Sequence, residues 1–246
     1  MARFFVPKKN LRDNRGLIDG QEFMHLKKVL RLGSGHRITV FDDSGWEHDA
    51  IIRELSAEQA EIEILGSYEA ARESALQITL GVALTKGEKM EFVVEKATEL
   101  GVQKIVPFTS TFSVPKLDVN KIAARTARWQ KIALSATKQC GRTQVPEILP
   151  LCRFETLVKS EPAQTLKLLF WEDEQQQSLR QAHEKYSQAN SLLLAIGPEG
   201  GFANQEAKLA KSHGFEPVHI GRRILRAETA ALAALTLVQF LWGDLR

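Results

Sequence analysis

Two turns in the last third of the chain concentrate the residues best suited to bind a ligand and act on it. The first is Ile196-Gly197-Pro198-Glu199-Gly200-Gly201-Phe202, and the second is Gly221-Arg222-Arg223-Ile224-Leu225-Arg226-Ala227-Glu228-Thr229-Ala230. Gly197, Gly200 and Gly201 let the backbone approach a flat or small ligand closely, while Pro198 stiffens the turn and removes a donor. In the second turn, the guanidinium forks of Arg222, Arg223 and Arg226 suit phosphate oxygens or planar bases. Charges this dense also pair with one another, so Glu228 reads equally as a functional group and as the acidic first-turn residue of the next helix. Arg226 favours function. Glu199 stands before its helix and faces either a ligand or a basic partner, whereas Glu206, behind an Asn204 N-cap, reads as structural.

Each turn follows a short apolar strand and opens a helix, so the elements around them fix what they do. From residue 76 onward, strands at 77–84, 104–108, 166–171, 191–196 and 217–220 alternate with helices at 88–100, 119–139, 175–187, 205–213 and 227–242. That alternation predicts a mostly parallel sheet covered on both faces, which binds ligands where strands give way to helices. No Gly-Lys-Ser/Thr loop and no Gly-x-Gly-x-x-Gly turn is present, which disfavours nucleoside triphosphates and dinucleotides. The first seventy residues read differently: a strand at 4–6, a helix over 21–32, strands at 37–42 and 46–55 joined by Asp43-Ser44-Gly45, and another at 59–65. The polar stretch 70–74 is the best boundary, giving a β-rich module over 1–72 and an α/β domain over 73–246.

Charge is distributed unevenly between these parts. Residues 1–40 hold nine Lys and Arg against three Asp and Glu, and residues 41–75 hold ten acids against two arginines. One side of such a module attracts a polyanion, although internal salt bridging explains the composition equally well. The helix over 119–139 adds Lys121, Arg125, Arg128 and Lys131 opposite Ile122, Trp129 and Ile132, which fits phosphate-backbone contact with Trp129 in the core. His25, among basic neighbours, reads as a structural residue or an RNA contact. Cys140 and Cys152 have no metal-type spacing, so neither a disulfide framework nor a zinc site is expected. The opening residues lack a signal-peptide segment, and the charge-free stretch 229–243 is shorter than a bilayer span, so a cytoplasmic protein without a membrane segment is the expectation.

Taken together, these residues resemble a family. Glu95-Lys96-Ala97-Thr98-Glu99-Leu100-Gly101-Val102 followed by Pro107, then 196–202, then Ile224-Leu225-Arg226-Ala227-Glu228-Thr229-Ala230, are similar in kind and order to signatures of the RsmE family of 16S rRNA uridine N3-methyltransferases. His25-Leu26 with Val29-Leu30-Arg31 resembles its amino-terminal signature, with Met24 where a second histidine is expected. The resemblance implies a SPOUT-type α/β domain with a carboxyl-terminal trefoil knot, preceded by a small PUA-like β-barrel, and a homodimer acting on the small ribosomal subunit. It also implies S-adenosylmethionine as cofactor, held by Phe170, Trp171, Glu172, Ile196, Gly197, Pro198, Gly200, Gly201, Ile220, Gly221 and Leu225. Arg3, Arg12, Lys27, Arg31, Arg125 and Arg128 are the expected RNA contacts.

Methylation at N3 requires uridine to lose a weakly acidic proton. Arg226 or Arg142 beside the uracil oxygens would stabilise the anion, and Glu199 or Glu228 could accept the proton. A carboxylate among arginines is a weak base, which ranks electrostatic activation first. Because N3 lies on the pairing edge, the target base must be unpaired or flipped. Two rivals stand beside this reading. A non-catalytic RNA-binding assembly factor explains the basic residues but not the glycine turns, and a small-molecule α/β enzyme explains the turns but not the polarised first module.

Overall fold

Alternating apolar residues along the first strands turn one face inward, with Ile18, Ile38, Val40, Ala50, Ile52, Ala60 and Ile62 buried together. The structure is a computed structural model that describes residues 2–85, 88–113, 119–160 and 165–246. Its contacts divide the chain into two units, 1–73 with 137–145, and 74–136 with 146–246.

The first unit is a six-stranded sheet ordered β1-β4-β5-β6-β3-β2, built from β1 (Arg3–Phe5), β2 (Leu11–Arg12), β3 (Arg15–Asp19), β4 (Arg37–Phe41), β5 (Trp46–Leu55) and β6 (Gln59–Glu69). Among the described residues of this sheet, β1 and β4 pair in parallel and the other pairs are antiparallel. Asp13 and Asn14, both at positive φ, make the two-residue turn that joins β2 to β3. That hairpin is absent from the sequence reading because Leu11-Arg12 is too short and polar to show alternation. The helix expected over 21–32 is instead α1 (Gly20–Met24) followed by a wider turn over His25–Val29, where the Leu30 amide donates to the His25 carbonyl five residues back at 3.0 Å.

Residues 137–145 belong with this first unit and not with the α/β part to which the sequence reading assigns them. The cause is a set of charged contacts. The Arg142 guanidinium lies 2.8 Å from the Glu73 carboxylate, which also accepts the Thr143 and Gln144 amides at 2.8 and 3.0 Å. Arg3 pairs with buried Glu47 at 2.8 Å, donates to the carbonyls of Thr137 and Arg142, and stacks over Phe41. Burying charge this far is tolerated only when it is paired. Arg142, 4% exposed, and Arg3 are therefore structural arginines of this unit. Named from the sequence for uracil and for RNA, their guanidinium groups here engage Glu73, and Glu47 with two backbone carbonyls, respectively.

The second unit carries a parallel sheet ordered β10-β8-β7-β12-β11-β13, with β9 added against β8. Its strands are β7 (Gln77–Ala83), β8 (Lys104–Thr109), β9 (Glu147–Ile148), β10 (Cys152–Arg153), β11 (Leu166–Phe170), β12 (Ser191–Ile196) and β13 (Phe215–Val218). The helices are α2 (Lys89–Glu99), α3 (Val119–Cys140) up to residue 136, α4 (Phe154–Leu157), α5 (Leu179–Lys185), α6 (Asn204–Ser212) and α7 (Ala227–Trp242). The α/β class expected from the alternation is the one observed. Phe154 and Leu157 of α4 join Ala207 and Ala210 of α6, with Phe108, Leu169, Leu193, Phe202 and Phe215, in one core cluster. Helix α7 packs on α2, α5, β7 and β12.

Three boundaries differ from expectation. Helix α5 starts at Leu179 because Ser178 and Gln181 form a reciprocal cap, the Ser178 amide donating to the Gln181 side chain at 2.8 Å. Strand β13 starts two residues early, and its Pro217 is accommodated because β13 ends the sheet order. Helix α6 is preceded by Ala203 as N-cap in place of Asn204, since the buried Glu206 carboxylate accepts the Ala203 amide at 3.0 Å and the Thr111 amide at 2.8 Å. Glu206 is structural, as its position suggests.

Candidate functional site

Strands β11, β12 and β13 end level with one another: Phe170 pairs with Ile196 on one side and with Val218 on the other. Because all three are parallel, the segments that follow them emerge on the same rim. They enclose an open cleft with a cavity volume of about 110 Å³. Its walls combine Phe170 at the end of β11 with Trp171 and Glu172 after it, Pro198, Glu199 and Gly201 after β12, Val218 at the end of β13 with 219–225 after it, and Ala230 of α7.

Nine of the residues named from sequence for a ligand or its chemistry thus meet in one place: Phe170, Trp171, Glu172, Pro198, Glu199, Gly201, Ile220, Gly221 and Leu225. Three others support it from outside the lining. Ile196 is buried at the strand end. A Cβ on Gly197 would press on the Phe202 ring at 3.1 Å, and one on Gly200 would meet the Cβ of Phe112 at 3.0 Å, so packing explains both glycines. Gly201 is different. It holds φ +72°, and a Cβ there would collide with the Glu172 carboxylate inside the cleft.

The site's charges are organised by a residue that the sequence reading did not assign. Lys89, the first residue of α2, lies 2.7 Å from Glu199 and 3.4 Å from Glu228. The hydrogen bond to Glu199 is the main cause that holds the Lys89 ammonium above the usual lysine range, so it stays charged through neutral pH and cannot serve as a base. Both carboxylates proposed as proton acceptors are engaged by this cation. A lone lysine at a helix start carries no sequence signal for such a bridge between turns more than a hundred residues away.

Arg226 is the N-cap residue of α7; its carbonyl accepts the Ala230 amide at 2.8 Å while its side chain is exposed and makes no ion pair among the described residues. Leu225 lines the cleft, and Arg226, the next residue, is not part of the lining. Arg222 and Arg223, noted in the sequence without an assignment, line it, as do Val218, His219 and Ile224. The Trp171 indole N–H is buried with no hydrogen-bond partner among the described residues. Among the basic residues expected to meet RNA, Arg12 and Arg31 are exposed, and Lys27 donates to the Ser56 carbonyl at 3.2 Å. Arg128 pairs with Glu91 at 2.7 Å beside Arg125 and Trp129. The His25 ring packs on Phe4 at 5.9 Å.

No helix among the described residues is long and apolar enough to cross a membrane, and no cluster of His, Cys, Asp and Glu there could hold a metal.

Comparison with known proteins is consistent with this geometry. Residues 72–239 match the RNA methyltransferase domain family, and residues 18–65 match the RNA methyltransferase PUA domain family. Ribosomal RNA small subunit methyltransferase E of Buchnera aphidicola subsp. Schizaphis graminum is 32% identical, with 90% of this chain and 88% of the relative covered. The Bacillus subtilis protein of the same name is 29% identical over 91% of this chain and 89% of its own length. Among solved structures, ribosomal RNA small subunit methyltransferase E from Neisseria gonorrhoeae bound to S-adenosyl methionine superposes with a TM-score of 0.89, at 34% identity and full coverage of both chains. With the level-ended strands, the shared cleft and these matches in hand, the chain is placed in the ribosomal RNA small subunit methyltransferase E family.

Proposed function

We infer that this protein methylates N3 of a uridine in 16S rRNA of the small ribosomal subunit, using S-adenosylmethionine, in the cytoplasm and as a homodimer. The observation that carries the reading is the cleft at the level ends of β11, β12 and β13, in a chain whose Neisseria gonorrhoeae relative is solved with that cofactor. The residues present fit the group. Apolar walls from Phe170, Val218, Ile224 and Leu225 suit a flat base; the unpartnered Trp171 N–H and the tight approach at Gly201 leave room for polar ligand atoms; and Glu172 suits a cation. When bound, S-adenosylmethionine supplies an electrophilic methyl group on a positively charged sulfur. The trefoil knot implied by the sequence resemblance belongs to this reading. Exposed Leu237 and Phe240 of α7, beside a groove that includes Ile220 and Leu241, support the dimer.

On the chain's side, the chemistry is charge placement. Lys89 neutralises Glu199 and Glu228, which leaves them poorly suited to take the N3 proton. Arg226, exposed at the start of α7, stabilises the uracil anion as the proton leaves to solvent. Two measurements test the whole reading: titration calorimetry with S-adenosylmethionine, and mapping of N3-methyluridine in rRNA from a deletion strain with and without the gene restored. Absence of cofactor binding together with unaltered rRNA would overturn it.

Two further outcomes are expected. Lys89→Met should weaken cofactor affinity by no more than about fivefold, with Lys89→Arg restoring it, because a partly exposed ion pair is worth little. A much larger loss in calorimetry would place Lys89 against the ligand itself. Replacing exposed Arg12 and Arg31 together should weaken RNA binding and flatten its dependence on salt, with cofactor affinity intact. An unaltered salt slope would assign the phosphate contacts to other residues.

A further inference from the structure

The first unit carries an anchored turn whose outward face is apolar. Over His25–Val29 the helix widens to a five-residue hydrogen-bonded turn, a conformation uncommon enough to mark functional positions, and Arg31 then takes φ +52°. Leu26 is fully buried and anchors the turn. Lys27 ties it down from above, its ammonium over the Phe23 ring at 5.1 Å and donating to Ser56 between β5 and β6. What this anchoring presents outward is apolar: Val29 is 67% exposed, Leu30 40% and Met24 42%.

We propose that Val29 and Leu30 form an apolar tip that seats against unpaired bases of RNA, while Lys28 and Arg31 beside them hold the adjacent phosphates. The occupant follows from the charge around the tip. No acidic residue lies between Glu22 and Asp42, and neither exposed Lys28 nor exposed Arg31 has an ion-pair partner among the described residues. Elsewhere in the same unit, exposed Trp46 and Tyr68 lie in strands that also carry Glu47, Asp49 and Glu69, surroundings that repel a phosphate backbone. The turn instead joins exposed aliphatic surface to Lys28 and Arg31, which have no ion-pair partner among the described residues. Aliphatic wedges between cationic flanks open base stacks in nucleic acids, and methylation at a pairing edge requires an opened base. A rigid, anchored tip loses little conformational entropy when it meets RNA.

The inference rests on the rRNA-directed function proposed above, and the test separates the two. Full-length protein is titrated into a single-stranded rRNA fragment carrying a fluorescent base analogue, over a range of salt. Wild-type protein should bind and change the analogue's stacking signal; failure at this stage would count against the rRNA reading itself. Val29→Ser with Leu30→Ser should weaken binding about tenfold or more and remove the stacking signal, with an unchanged salt slope. Lys28→Gln with Arg31→Asn, the latter chosen because asparagine tolerates positive φ, should instead flatten the slope and keep the stacking signal. Both pairs are exposed, and circular dichroism with cofactor affinity checks that each variant remains folded. Wild-type RNA binding with an unaffected Ser double variant would overturn the tip. So would a loss of binding that tracks a change in oligomeric state, which would make the surface a contact between protein chains.

Discussion

Arg226→Ala should lower the single-turnover methylation rate by about a hundredfold or more while leaving S-adenosylmethionine affinity nearly unchanged. The two readouts separate because the side chain and its neighbours play different parts. Leu225 and Ala230 line the cleft, whereas the Arg226 guanidinium is exposed at the helix start and free of ion pairs among the described residues. A donor aimed at charge that develops only during the reaction contributes to the rate and not to ground-state binding. Raised pH supplies the discriminating arm. If the missing step is loss of the N3 proton, spontaneous ionisation of uridine restores part of the rate to the variant as pH rises. Arg226→Lys should recover little, because an ammonium cannot reproduce a planar two-pronged contact with neighbouring uracil atoms. Lost cofactor affinity with no recovery at high pH would make Arg226 a cofactor or structural residue. Arg222 and Arg223, which line the cleft, would then be the next candidates, Arg142 being committed to Glu73.

The legible part of this fold is the part where one periodicity runs long enough to be read. The buried strand Ser191–Ile196 is an apolar run from Leu192 onward, Gln77–Ala83 carries Ile78, Leu80 and Val82 at alternate positions, and α2 and α7 keep their apolar positions at helical spacing, so the α/β alternation shows directly. Short elements escape. β9 and β10 have two residues each and α4 has four, too few to display a period, and their place is set by pairing with β8 and by the shared aromatic core of Phe108, Phe154 and Phe202. The widened turn at His25–Val29 escapes for another reason: its residues carry an ordinary amphipathic pattern, and the extra residue per turn is a consequence of tertiary anchoring by Leu26 and Lys27.

The site divides in the same way. Glycine-rich turns after apolar strands announce a ligand rim, and the cleft gathers most of the residues those turns name. Long-range electrostatics do not announce themselves. Arg3 and Arg142 look like RNA or substrate groups because their partners, Glu47 and Glu73, are 44 and 69 positions away, and nothing local reveals that each carboxylate is waiting for a guanidinium. Lys89 is the converse case, since Glu199 lies 110 positions further on and turns an inconspicuous helix-start lysine into the cation of the site. Sequence spacing finds backbone devices well and ion pairs poorly, because a turn is local and a salt bridge need not be.

Gly201→Ala is the sharpest test of where the cofactor lies, and it should lower S-adenosylmethionine affinity by about tenfold or more. Two separate effects act at this position. The backbone sits at φ +72°, where an L side chain costs about 1–2 kcal/mol, and the new methyl would collide with the Glu172 carboxylate. A carboxylate on a flexible stem yields more easily than backbone, so Glu172 moves, and since Glu172 lines the cleft beside Gly201 any such move reshapes the binding surface. Pairing the change with Glu172→Ala removes the collision and keeps the backbone strain, so the double variant should regain part of the lost affinity only if steric crowding is the larger effect. Gly200→Ala is the control: its methyl faces Phe112, and a small loss of stability with near-normal affinity is the expected pattern. Gly197→Val is a poorer probe, since its side chain would push on the Phe202 ring in the core and disturb folding together with binding. Calorimetry on folded Gly201→Ala protein decides the matter: wild-type affinity there would move the cofactor out of the cleft at the ends of β11, β12 and β13, whereas a loss greater than that of Gly200→Ala places it against the Gly201 backbone.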